Sequence, residues 1–168
     1  LPYRVSDIVP GVEGINPGLD FSALTPDVVG TRPSCPTISE AIELLSLMNS
    51  NGVLKDSIDL QSLFLGGHSG GGSMALLNAK PKWFPSMKGA FSYAAHTGAS
   101  TMLGYPEGTV LDLEDSAPCM LIGGTNDGVI VASANRYGDE ECDSALMIRR
   151  TFLEGTKKRE DDLQNYFA

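Results

Sequence analysis

The sequence predicts an α/β domain with a mostly parallel sheet and helices on both faces. Three observations carry this expectation. Short apolar segments alternate with amphipathic ones in the order strand, helix, strand, turn, strand, helix, the rhythm of βαβ units. Residues 58–65 (Ile-Asp-Leu-Gln-Ser-Leu-Phe-Leu) turn continuously apolar toward their end, as a buried parallel strand does. Glycines follow at once and lead into a second helical stretch.

Taken in chain order, residues 3–9 (Tyr-Arg-Val-Ser-Asp-Ile-Val) read as a short strand stopped by Pro10-Gly11. Residues 10–36 hold Pro10, Gly11, Gly14, Pro17, Gly18, Pro26, Gly30, Pro33 and Pro36, and predict a long loop with a short strand at Val28-Val29. A loop of that length is either functional, a lid for example, or a plain surface excursion. Residues 37–50 predict a helix. Thr37 and Glu40 have capping-box spacing, Ile38, Ile42, Leu44, Leu45, Leu47 and Met48 supply apolar positions, and Asn51-Gly52 ends it. Ser73–Ala79 predicts a helix, 89–95 and 117–123 predict strands, and 132–154 predicts helix interrupted near Gly138. Repeats and low-complexity tracts are absent from the sequence.

A length of 168 residues suits one domain. With 42% hydrophobic and 20% charged residues the composition is globular, not disordered or collagenous. The balance of 12 Lys+Arg against 21 Asp+Glu leaves a net charge of −9, which disfavours a nucleic-acid partner. No apolar run reaches the roughly 18 residues of a membrane span. Cys35, Cys119 and Cys142 form no CxxC motif, so they read as buried free thiols rather than zinc ligands, and no metal is expected. The acidic run Asp139-Glu140-Glu141 and the stretch from Lys157 to Asp162 read as solvated surface. The chain opens Leu-Pro-Tyr-Arg, without Met or a targeting signal, so residue 1 is not expected to be the biological start.

The segment that carries chemistry is Leu63-Phe-Leu-Gly-Gly-His-Ser-Gly-Gly-Gly-Ser73. Gly67-His68-Ser69-Gly70-Gly71 fits G-x-S-x-G between an apolar strand and a helix. A nucleophilic serine must stand clear of the strand end, which needs a tight turn in a sparsely populated backbone conformation. The residues two before and two after it approach each other, so Gly67 and Gly71 meet a steric demand. Ser69 then sits at a helix N-terminus, and the Gly70 N–H is one of two oxyanion donors. A P-loop fails for want of its lysine. A dinucleotide fingerprint at Gly70-x-Gly72-x-x-Ala75 fails because the next strand, ending Ala95-His96, supplies no acid. A second segment, 117–130, runs from an apolar strand through Gly-Gly-Thr-Asn to Asp127-Gly128. A carboxylate there lies at the edge where α/β sheets assemble sites and can orient a histidine. Asn126, Asp112 and Asp115 are weaker choices for that acid.

On the elbow Gly67–Gly71 and the acid loop Gly123-Gly-Thr-Asn-Asp-Gly-Val129, the chain resembles the α/β-hydrolase superfamily. It looks most like the serine esterases of the dienelactone-hydrolase, acetylhydrolase and chlorophyllase-like branch. The resemblance covers most of residues 38–153. It implies an α/β-hydrolase fold, incomplete, with the central to late strands only, and one partial domain over 1–168. It implies a serine hydrolase that cleaves carboxylic esters, apolar ones included, through an acyl-enzyme on Ser69, with Asp127 as acid and no cofactor.

The chain departs from that pattern at the histidine. The family's base follows the acid, and no histidine follows Asp127 here. His68 is expected to pack behind the turn and His96 to line the pocket, with a lesser case for either as a direct base. The family's second oxyanion donor and its third strand also lack a counterpart. Asn165–Ala168 looks like the start of the strand that precedes the base. The catalytic histidine is therefore expected beyond residue 168, with the remainder of the same hydrolase chain as partner. The alternative is a hydrolase-fold binding or structural subunit that has lost catalysis.

Overall fold

The computed structural model describes residues 19–136 and 144–157. The expected strand at 3–9, the first part of the 10–36 loop, the break near Gly138, Cys142, the acidic run 139–141 and the tail past Lys157 lie outside the described residues.

Within them the chain forms a three-stranded, all-parallel sheet of β1 (Leu63–His68), β2 (Met87–Tyr93) and β3 (Cys119–Ile122), in that spatial order. The α/β class with a parallel sheet is as the alternation implied. Helix α1 (Thr37–Asn51) precedes β1, α2 (Gly70–Asn78) joins β1 to β2, and α3 (Gly128–Arg136) and α4 (Ser144–Leu153) follow β3. One sheet face builds the core. Met74, Leu76 and Leu77 of α2 are buried over Leu63, Leu65, Ala90 and Leu121. At about 25 cal/mol per Å2 of apolar surface, each such fully buried side chain stabilises by about 2 kcal/mol.

Among the described residues the second sheet face carries no helix, a correction to the two-sided expectation. Phe64, Phe91, Tyr93, Met120 and Ile122 are between 40% and 65% exposed there. They form one contiguous patch, because Phe91 pairs with Met120 and Tyr93 with Ile122 across the ladder. Consequently β1 alternates half-buried with exposed residues, instead of being buried on both sides.

Boundaries shift for local reasons. The strand expected at 58–65 begins at Leu63, because Asp59 closes a turn by accepting the Gln61 N–H at 2.9 Å. It runs on through Gly66 and Gly67. A Cβ on Gly66 would stand 2.1 Å from the Phe91 ring, so a neighbouring aromatic fills the space a side chain would take. Strand 89–95 becomes Met87–Tyr93, since Ala94 turns to φ 50°. Strand 117–123 narrows to Cys119–Ile122. Helix α2 starts at Gly70, ahead of Ser73, and α3 starts at Gly128, ahead of 132.

The capping box at Thr37 does not form. Pro36 is already helical (φ −56°, ψ −31°) and is the N-cap, so Thr37 lies inside the helix. Ile38 and Ile42 pack on the core, whereas Leu44 and Leu47 face solvent. Gly52 does end the helix, its N–H bonding the Met48 carbonyl. Val28 and Val29 form no strand. Both amides bond the Thr25 carbonyl, and the segment winds as turns after a short 3-10 helix at Phe21–Leu24. This loop is pinned to α2 by Asn78, which is fully buried. Its Oδ1 accepts the Ser34 and Cys35 amides at 2.8 and 3.3 Å, and its Nδ2 donates to Ser34 Oγ and the Met74 carbonyl. Cys35 is buried and Cys119 half-buried, both as free thiols. Lys157 is not merely solvated, since it pairs with Asp112 and Glu114.

Candidate functional site

Parallel strands end on one edge, and that edge gathers the chemistry-bearing residues. The Ser69 N–H donates to the Tyr93 carbonyl at 3.0 Å, and the Ala94 N–H to the Ile122 carbonyl at 2.8 Å. Ser69 directly follows β1, Ala94 follows β2, and the Gly123–Asp127 loop follows β3. This is the carboxyl edge where open α/β sheets place ligands.

Ser69 adopts φ 53°, ψ −130°, a conformation that L residues with a Cβ rarely take. It occupies the N-cap of α2. A serine there ordinarily turns its hydroxyl back onto the first-turn amides. Ser69 makes no such bond. Its carbonyl accepts the Gly72 and Ser73 amides at 2.8 and 3.1 Å, so the helix is anchored through backbone and the half-buried side chain is left over. The amides of Gly70 and Gly71 open the helix, where N–H groups have no intrahelical acceptor.

The glycines around it are sterically required. A Cβ on Gly67 would lie 2.2 Å from the Gly71 carbonyl oxygen and 2.7 Å from the Gly72 nitrogen. Gly71 thus takes part through its backbone. Gly72, which the five-residue motif does not include, is confined as well, since a Cβ there would sit 2.7 Å from Ala95 Cβ. The unbroken glycine run was the available signal for it. Gly67→Ala is expected to cost about 1–3 kcal/mol by overpacking, read as a lower urea midpoint with unchanged slope.

Asp127 is half-buried at the start of α3. Its Oδ1 accepts the Val129 and Ile130 amides at 3.0 and 3.1 Å, so the carboxylate caps that helix. Oδ2 has no donor among the described residues. The weaker acid choices are accounted for otherwise. Asp112 pairs with Lys157 and Asp115 with Lys82, both at 3.0 Å, and Asn126 is exposed.

The histidines sit on opposite sides of the sheet edge. Strand alternation turns Gly67 toward α2 and His68 away from it. His68 is therefore exposed, its ring 5.5 Å from that of Tyr93, and does not pack behind the turn. His96 is 8% exposed, and its carbonyl accepts the Ser73 hydroxyl at 2.6 Å. The Gly98 N–H donates to His96 Nδ1 at 3.0 Å, which places the neutral ring's proton on Nε2. Burial pushes its pKa down to about 4. That burial disfavours the protonated ring, and the His96 backbone is held against α2 through the Ser73 hydroxyl. Neither histidine bonds to Ser69 or Asp127. No group of three or more potential metal-ligating side chains occurs among the described residues, and no described helix is long and apolar enough to cross a membrane.

Comparison with known protein families, with curated proteins and with solved structures finds no match to this chain.

Proposed function

We propose that this chain carries the nucleophile and the acid of a serine hydrolase that cleaves carboxylic esters, on an α/β-hydrolase framework. One observation carries the reading: Ser69 is held at φ 53° between strand and helix, with its hydroxyl excluded from the cap bond that its position offers. An ordinary turn gains nothing from that strain, which costs about 1–3 kcal/mol. A nucleophile gains a free hydroxyl beside unpartnered amides.

In the proposed reaction Ser69 Oγ attacks the acyl carbon of a small-molecule ester and gives its proton to a histidine. The carbonyl oxygen becomes the oxyanion and is stabilised by the Gly70 N–H and by a second donor from elsewhere in the hydrolase. The histidine returns the proton to the departing alkoxide, leaving an acyl-enzyme. Water, deprotonated by the same histidine, then releases the acid and restores Ser69. The free Oδ2 of Asp127 orients the imidazole while Oδ1 stays on the α3 amides. The histidine is proposed to lie beyond residue 168, because His96 is a weak base in its buried site and His68 is turned to the other sheet face. The remainder of the same chain is proposed to cover the exposed face of Phe64, Phe91, Tyr93, Met120 and Ile122, since parallel sheets are ordinarily covered on both sides.

The absence of any histidine bonded to Ser69 or Asp127 favours a second reading, a hydrolase-fold binding or structural subunit without catalysis. A fluorophosphonate probe applied to the full-length protein separates the two. Labelling at Ser69, lost in Ser69→Ala, is the expected result. An unlabelled Ser69 beside a control esterase that reacts would leave the non-catalytic reading standing.

A further inference from the structure

The chain leaving β2 wraps the first turn of α2. Ala94, the residue after β2, takes φ 50°, so the backbone departs from the extended path of the strand. Three contacts with α2 lie around that turn. The Tyr93 carbonyl accepts the Ser69 N–H at 3.0 Å. Ala95 Cβ occupies the space that a Cβ on Gly72 would need, and the His96 carbonyl accepts the Ser73 hydroxyl at 2.6 Å. Ala95 and His96 are both buried. The two serines that bracket the first turn of α2 therefore differ. Ser73 commits its hydroxyl to the β2 exit, whereas Ser69 makes no cap bond with its own.

A residue strained at positive φ keeps that conformation only where the surrounding structure holds the chain on both sides of it. Before Ser69, the ladder from β1 to β2 does so. After it, the Ser69 carbonyl accepts the Gly72 and Ser73 amides, but these bonds lie within the turn and do not tie it to the sheet. The Ser73 hydroxyl supplies a directional tie, added to the packing of Met74, Leu76 and Leu77 farther along α2. We propose that Ser73 is a positioning residue for Ser69: its bond to the His96 carbonyl, brought within reach by the turn at Ala94, latches the first turn of α2 and fixes where the Ser69 hydroxyl points. This inference rests on the hydrolase reading of Ser69.

Full-length wild type, Ser73→Ala and Ser73→Thr are compared by the rate of fluorophosphonate labelling at Ser69 and by amide hydrogen exchange. Misplacing a reacting group by about 1 Å costs up to about 10^2 in rate, so labelling of Ser73→Ala is expected to slow about tenfold. Ser73→Thr keeps the hydroxyl and is expected to label at the wild-type rate. In Ser73→Ala the amides of residues 69–73 are expected to exchange about tenfold faster, with those of residues 63–65 unchanged. A role in general stability would raise exchange at both places alike, and that result would overturn the proposal. So would wild-type labelling by folded Ser73→Ala, or labelling of Ser73→Thr as slow as that of Ser73→Ala. An unlabelled wild type is a different failure, that of the hydrolase reading, and exchange alone then decides the latch: a local rise at 69–73 supports it and unchanged exchange overturns it. If circular dichroism shows Ser73→Ala unfolded, Ser73→Cys, with its weak donor, takes its place. The same local rise is expected, and unchanged exchange counts against the latch.

Discussion

A Ser69→Gly chain is expected to unfold at a higher urea concentration than the wild type and to lose all fluorophosphonate labelling. The two effects have one cause. At φ 53°, ψ −130° a side-chain-bearing residue carries strain of about 1–3 kcal/mol, which glycine escapes because it lacks the Cβ. Glycine gives back about 0.5–1 kcal/mol through the greater freedom of the unfolded chain. The net gain is about 1 kcal/mol, and no cap bond is lost to offset it, since Ser69 makes none. Ser69→Ala keeps the Cβ and therefore the strain, so it is expected to be as inert as the glycine variant without its added stability. If the proposed hydrolase reading holds, Ser69→Ala is expected to lower turnover of a p-nitrophenyl ester by on the order of 10^4–10^6. Stability increased by the same change that abolishes reactivity marks strain kept for function. If Ser69→Gly were less stable than Ser69→Ala, the turn would be an ordinary one and the argument from strain would collapse.

The fold class and this turn were legible in the sequence for different reasons. Alternation of apolar runs reports sheet and helix order, because each parallel strand needs a crossover to return. The glycines at 67 and 72 report a steric fact that holds whatever surrounds them: a Cβ at either collides with neighbouring atoms. Strand limits were less legible. Glycines at 66 and 67 look like breakers along the chain, yet the Phe91 ring on the next strand covers Gly66 and keeps the ladder going. The capping box failed in a similar way. Thr37 and Glu40 have the right spacing, but Pro36 is already helical and takes the cap position, a choice that three-residue spacing does not express. Which histidine faces what is a matter of register. His68 is one residue past Gly67 and so falls on the opposite sheet face, while His96 is fixed by contacts with Ser73 and Gly98. The tie between the 19–36 segment and α2 is wholly a tertiary product: buried Asn78 accepts the Ser34 and Cys35 amides, and no spacing rule connects them.

Acidification from pH 6.5 to 4 is expected to destabilise the fold by about 3 kcal/mol, and His96 is the residue responsible. Its imidazole is 8% exposed and burial lowers its pKa from 6.5 to about 4. Between those two values the unfolded chain binds a proton that the folded chain does not, so stability rises with pH across the window. The contribution is complete above pH 6.5. It declines by about 1.4 kcal/mol per pH unit as the pH falls toward 4, and levels off below that. The acids with lowered pKa values act elsewhere. Asp20 and Asp59 are held down by hydrogen bonds from Ser22 and Ser62, and Asp115 by its bond from Lys82. Their contributions are present above their ordinary value of 3.8 and disappear below it, so they do not shape the slope between 4 and 6.5. Protonation also takes the lone pair that accepts the Gly98 N–H, setting a buried donor against a buried donor. Urea midpoints taken at half-unit intervals from pH 4 to 7.5 would trace this slope. His96→Gln keeps an acceptor near Gly98 without a titrating group, and its profile is expected to be flat over the same window. If the variant kept the wild-type slope, His96 would not be the titrating group, and its desolvated, neutral state beneath Ser73 would have to be abandoned.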